Sequence, residues 1–164
     1  MAPTGRCADF CNRATGSFTM FKHILIPTDG SELSNKAVTN GVQFAKEINA
    51  RITGLTVTPP FHYFGLDATQ ISATVNEYED HAAAQAQRAL TSLQEAAKAV
   101  GVQCQTLHCS SEHPYEEIVK TAEKQGCDVI FQASHGRRGI KALLLGSETH
   151  KVLTHSKIPV MVFR

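Results

Sequence analysis

Two stretches of this 164-residue chain hold residue types that can manage an anionic ligand. The first is Pro27-Thr28-Asp29-Gly30-Ser31, directly after a short apolar run. Asp29 there can accept hydrogen bonds from a ribose hydroxyl or an exocyclic amine, or it can join Ser31 in capping the helix that follows. The second is ASHGRRGIKALLLGSET, Ala133 to Thr149. Gly136 and Gly139 admit positive φ and close approach of the backbone, as an anion-binding nest requires. Gly146-Ser147 precedes a helical pattern, where free amides and the positive end of the dipole favour phosphate. Arg137, Arg138 and Lys141 lie between the glycines and supply counter-charge. An ordinary loop with two turns and exposed arginines fits the same residues. His135 is assigned to the binding surface, not to proton transfer. The chain has no Gly-x-x-x-x-Gly-Lys-Ser/Thr loop, no Gly-x-Gly-x-x-Gly after the first strand and no Gly-x-Ser-x-Gly elbow, so a bound nucleotide needs another arrangement.

The elements that must position these segments alternate between strand and helix. His23 to Ile26 is a short apolar run ended by Pro27, consistent with a buried parallel strand. Ser31 can cap a helix whose apolar stripe is Ala37, Gly41, Phe44, Ala45 and Ile48. A second strand spans Arg51 to Thr58, and Pro59-Pro60 stops it. Residues 59–75 form the longest irregular stretch, with Phe61, Tyr63 and Phe64 either covering a ligand or partner or packing on the sheet. A long helix then runs to about Val100 and ends at Gly101. Gln103 to Cys109 is a third strand, polar enough for a sheet edge. Pro114 opens a helix through Ile118, Val119 and Ala122 that ends at Gly126. Asp128 to Phe131 is the fourth strand, a short helix starts at Ser147, and Ile158 to Phe163 is the last strand. This order predicts an α/β fold: a single-domain, open five-stranded parallel sheet with helices on both faces and right-handed crossovers. Ligands of such sheets bind beyond the carboxyl ends of the strands, at the switch in strand order, where both segments fall. Residues 1–19 are polar and without period, and are expected to be a disordered leader or an expression remnant, with the domain at 20–164.

Composition narrows the function classes. Hydrophobic residues at 42% and charged residues at 19% exclude a disordered chain. No apolar run approaches the roughly 18 residues of a membrane span, so a soluble protein without membrane contact is expected. Sixteen basic residues against fifteen acidic give +1, which argues against a broad grip on nucleic acid and leaves a small anionic ligand open. The five cysteines, Cys7, Cys11, Cys104, Cys109 and Cys127, form no CxxC pair and no zinc spacing. Cys104 and Cys109 should face opposite sides of their strand. Reduced, mostly buried thiols are expected.

From Met20 to Arg164 the chain resembles the universal stress protein family. The resemblance rests on Ile26-Pro27-Thr28-Asp29-Gly30-Ser31, on Ala133-Ser134-His135-Gly136, on Leu145-Gly146-Ser147 and on the ending His155 to Val162. The family's ATP-binding branch carries Gly-x2-Gly-x9-Gly-Ser/Thr. That frame falls here on Ala133, Gly136, Gly146 and Ser147, with alanine at the first glycine. The resemblance implies a Rossmann-like fold and a cytoplasmic homodimer paired through the strand at 158–163. It also implies ATP, with Mg²⁺ or Mn²⁺, as ligand. Pro27, Thr28 and Asp29 would then lie near the adenosine, and Val57 would offer backbone groups to the adenine. Ala133, His135, Gly136 and Arg137 would line the ribose and phosphate path, and Gly146, Ser147, Glu148 and Thr149 would hold the phosphates. Binding is expected to order Arg137 to Leu145 and so alter a surface that another, unidentified protein reads. No general base can be named, so the chain is expected to bind and signal, with slow ATP hydrolysis as the most it would catalyse. A nucleotide-independent dimer acting through protein contacts is the alternative. ATP pyrophosphatases of related fold carry Ser-Gly-Gly-x-Asp-Ser after the first strand, which Thr28-Asp29-Gly30-Ser31-Glu32 does not match.

Overall fold

Strand β1, His23–Pro27, is apolar on both faces because it lies at the centre of a sheet covered on both sides: Ile24, Leu25 and Ile26 have no exposed surface. The computed structural model describes residues 20–60, 68–136 and 145–164, with side chains of the second helix described from Tyr78 onward. After β1 come α1 (Glu32–Glu47), β2 (Arg51–Thr58), α2 (Ala68–Ala99), β3 (Cys104–Ser110), α3 (Pro114–Gln125), β4 (Val129–Ala133), α4 (Ser147–His155) and β5 (Val160–Phe163). All strand pairs are parallel, in the order β3-β2-β1-β4-β5, so the direction of winding reverses between β1 and β4. Register is set by pairs such as Leu25 with Thr53 and Ile130.

Side-chain alternation sorts the sheet into two cores. Ile24, Ile26, Ile52, Val129 and Phe131 meet Ala37, Val38, Val42 and Ala45 of α1 and Leu93 and Ala97 of α2. Phe44 of α1 stacks on Phe131 with ring centroids 6.2 Å apart. Leu25, Leu55 and Ile130 point the other way, onto Ile118 and Ala122 of α3 and Val152 of α4. Cys104 packs with the first core and Cys109 with the second, on opposite faces as their odd separation requires. Burial pushes the Cys104 and Cys127 thiols up to about 11, which keeps them protonated at neutral pH.

Three boundaries differ from the sequence expectation. Helix α2 begins at Ala68, so the irregular stretch does not reach residue 75. The alanine-rich segment beyond His81 is a strong nucleus, and adding turns to an existing helix is far easier than starting one. Strand β4 continues to Ala133 because β5 pairs with it through Ala133 and Phe163. Strand β5 starts at Val160, since Pro159 has no N–H and contributes only its carbonyl, to Ile130 N at 2.9 Å. Phe61, Tyr63 and Phe64, and the leader at 1–19, lie outside the described residues. No described helix is long and apolar enough to cross a membrane.

The amino end of β1 carries a titratable group in the interior. His23 is 3% exposed, and its Nε2 lies 2.7 Å from Thr53 Oγ1, which also accepts from Gln105 Nε2 at 2.8 Å. Burial, and secondarily the positive charge of Arg51, hold the His23 pKa below the usual 6.5. The neutral ring is therefore favoured by folding. Stability from this group is fully present above pH 6.5 and declines as pH falls below it, where the unfolded chain takes up a proton that the folded chain resists. Urea unfolding between pH 7.5 and 5.5 should show a loss of at most about 1.4 kcal/mol per pH unit from this site. In His23→Gln the slope should flatten. Equal slopes in the two proteins would remove His23 as the cause.

Candidate functional site

The turn after β1 is built by a chain of short polar side chains. Thr28, 5% exposed, donates its amide to Leu55 O at 2.8 Å, and its carbonyl accepts from Thr56 Oγ1 at 2.8 Å. Thr28 Oγ1 accepts from Ser34 Oγ at 2.9 Å and from Gly30 N at 3.3 Å. Gly30 has φ 73°, a left-handed conformation that suits glycine. Ser31 is the N-cap of α1, accepting from Ser34 N at 3.3 Å. Asp29 Oδ1 accepts from Ser31 N at 3.0 Å. The capping role considered for this pair thus holds for Ser31 and for one Asp29 oxygen. The other, Oδ2, faces the second segment: a Cβ built on Gly136 would lie 2.6 Å from it. Ser34 and Thr56 complete this network and were missed in the sequence. Only Ser34, three residues after the cap, had a local signal.

Residues leaving β4 are pinned just as closely. Ser134, 1% exposed, donates its amide to Phe163 O at 2.7 Å, and its carbonyl accepts from Gly146 N at 2.8 Å. Thr149, also buried, donates Oγ1 to Ala133 O at 3.1 Å. These bonds bring the start of α4 against the end of β4. A Cβ on Gly146 would stand 3.1 Å from Ser134 O, so glycine allows this approach. Gly146 is the N-cap of α4 and no described side chain caps that helix, which leaves its first-turn amides, from Ser147 on, oriented outward. His135 Nδ1 lies 3.1 Å from Ser134 Oγ, while its Nε2 is buried without a hydrogen-bond partner among the described residues. Gly139, Arg137, Arg138 and Lys141 lie outside the described residues.

One expectation about this loop changes. Gly136 does not adopt positive φ; the described glycines that do are Gly30, Gly101 and Gly126. Its role is clearance beside Asp29. Ala133 ends β4 in the ladder, and Asn49 is the sole described non-glycine residue at positive φ, so alanine at the first glycine of the pattern carries no backbone strain. Its methyl packs into the first core.

Val57 and Glu148 show how backbone and side chain divide the work. Leu55 O bonds Thr28 N on the β1 side, whereas Thr58 O bonds Ser111 N on the β3 side. Val57 shares the parity of Leu55, so its N–H and C=O point toward β1, past the level where β1 ends at Pro27. That exposes one donor and one acceptor to the crevice at the switch point. Glu148 is turned elsewhere. Its Oε2 accepts from Tyr115 N at 3.0 Å in the first turn of α3, where His113 gives no side-chain cap, and its Oε1 pairs with Lys151 Nζ at 2.8 Å. Glu148→Ala should cost about 1 kcal/mol of stability through the lost cap. It should leave ligand affinity at the switch point unchanged, which urea unfolding and calorimetry on one sample would check.

The universal stress protein family model matches residues 20–164. The universal stress protein YxiE of Bacillus subtilis is 32% identical over 149 residues, 88% of this chain and 100% of its own. The universal stress protein UspA from Lactobacillus plantarum has a structure similar to this one at a TM-score of 0.75 and 26% identity, over 88% of this chain and 98% of that one. Two more distant proteins share the fold: a universal stress protein in complex with cAMP (23% identical, TM-score 0.61, 88% and 97% covered) and the Archaeoglobus fulgidus universal stress protein in complex with dAMP (14%, 0.60, 88% and 98%).

Proposed function

Because this chain belongs to the universal stress protein family, we propose that it is a regulatory protein that binds an adenine nucleotide, ATP, at the β1–β4 switch point. The observation that carries this reading is the Asp29 carboxylate set against Gly136, where a single added Cβ would come within 2.6 Å of Oδ2. Asp29, anchored through Oδ1 to Ser31 N, presents a carboxylate to a ribose hydroxyl. The N–H and C=O of Val57 match the donor and acceptor edge of an adenine. The uncapped amides of α4 at Ser147 suit phosphate, with Mg²⁺ or Mn²⁺ as counter-ion. The Nε2 of His135, buried and without a partner among the described residues, sits in the same loop, where a ligand would satisfy it. Thr28 and Thr149 act one layer back, holding the two turns in place. Adenine nucleotides bound by distant proteins of this fold support the ligand class.

The chain pairs as a cytoplasmic homodimer through β5, whose outer edge no described strand pairs with and whose Val162 is 37% exposed. The test is to denature the purified protein and identify released small molecules by mass, and to size the same sample. Released ATP or a related adenine nucleotide, in a particle of about twice 17.8 kDa, is the expected result. An empty protein that also ignores added nucleotide would leave only the protein-contact role.

A further inference from the structure

We propose that the cleft at the amino end of the sheet, lined by Lys22, Lys46, Arg51 and Lys98, is a second ligand site that takes a multivalent phosphate anion. This site is independent of the nucleotide reading, because it lies at the opposite end of the strands. It has a volume of about 1040 Å³, and among the described residues no acidic one lines it. That is ample for a ligand of several linked phosphates. The four cations come from four places in the chain: the residue before β1, the last turn of α1, the first residue of β2 and the last turn of α2. No local motif reveals them, and a net charge of +1 does not require them to gather.

Structural roles do not use up these charges. Among the described residues, the ion pairs Lys36–Glu32, Lys120–Glu117 and Lys151–Glu148 each lie within one helix, and the four cleft cations form none. Asp128 accepts the amides of Lys22 and His23 at 2.8 and 3.1 Å and is not part of the lining. Lys46 and Lys98 suit the negative ends of their helices, but the last-turn carbonyls are already bonded by backbone amides. Ala45 O accepts from Ala50 N at 2.8 Å, and Ala97 O accepts from Val102 N at 2.9 Å. Lys22 and Arg51 lie on no helix at all. Two helix carboxyl ends in one cleft oppose an anion, so the ligand must be long enough to reach several of the four cations at once, as a chain of phosphates is. Asn49 and Gln103 add neutral amide donors beside the cations.

The test uses the full chain, ¹⁵N-labelled and titrated with inorganic tripolyphosphate. Shifts should appear at the amides of Asn49, Arg51, Gly101 and Val102, with affinity falling at least tenfold in Arg51→Gln/Lys98→Gln and unchanged in Lys36→Gln. Orthophosphate should produce none of these shifts at the same concentration. Because the residues that shift locate the site, failure here is distinguishable from failure at the switch point. Shifts confined to Asp29–Ser31 and Ser147, or equal affinity in the double variant, would overturn the proposal. So would tighter binding of hexaglutamate at the same amides, which would assign the cleft to an acidic peptide.

Discussion

Gly136→Val is expected to abolish adenine-nucleotide binding while leaving the fold in place. The first carbon of the new side chain would stand 2.6 Å from Asp29 Oδ2. Relief is available, because the carboxylate can rotate, and rotation breaks its bond to Ser31 N. That costs stability about 1 kcal/mol, the scale of one hydrogen bond. The ligand loses far more: the Asp29 oxygen meant for it is displaced, and the two valine methyls occupy the crevice between the β1 and β4 turns. Affinity should drop by more than about 100-fold, roughly 2.7 kcal/mol. Calorimetry beside a urea curve separates the two effects. Gly136→Val binding ATP as the parent does would show that the ligand does not pass between these turns.

The largest loss of stability should come from Leu93→Ala. Leu93 has no exposed surface and lies against β2: its Cδ2 and Cδ1 are 3.1 and 3.2 Å from where a Cβ on Gly54 would stand. Gly54 brings the α2 side chain almost onto the strand backbone, and a sheet strand paired on both sides cannot collapse into the hole left by truncation. The cost should fall at about 3 to 5 kcal/mol, the upper part of the range for buried leucine. At Leu153, 41% exposed on α4, the same change should cost less than about 0.5 kcal/mol. Comparable midpoints for the two variants in urea would contradict the packing described for the first core.

Most of the fold was legible because its signals are local. Continuous apolar runs marked β1 and β4, proline and glycine bracketed α3, and the polar alternation of Gln103 to Cys109 placed β3 at an edge. The sequence predicts α2 too short because Ala68 to Asn76 has little apolar periodicity and becomes helical by cooperative extension. At the site, the sequence located the two turns and their meeting at the switch point. It misjudged how glycine is used: positive φ belongs to Gly30, while Gly136 supplies clearance beside a residue more than a hundred positions earlier. Glu148 illustrates the same limit. Its partner Tyr115 is 33 residues away, and no spacing rule ties a carboxylate in one helix to the open end of another. Non-local contacts of this kind exist only once the strands are ordered. The four cations of the amino-end cleft belong with them.

Calorimetric titration of the nucleotide-free chain with ATP and Mg²⁺ tests the central claim most directly. Binding tighter than roughly 100 µM, about −5.5 kcal/mol, is predicted, with the heat lost in Gly136→Val. Absence of heat up to millimolar ATP in a chain that still unfolds cooperatively would contradict it.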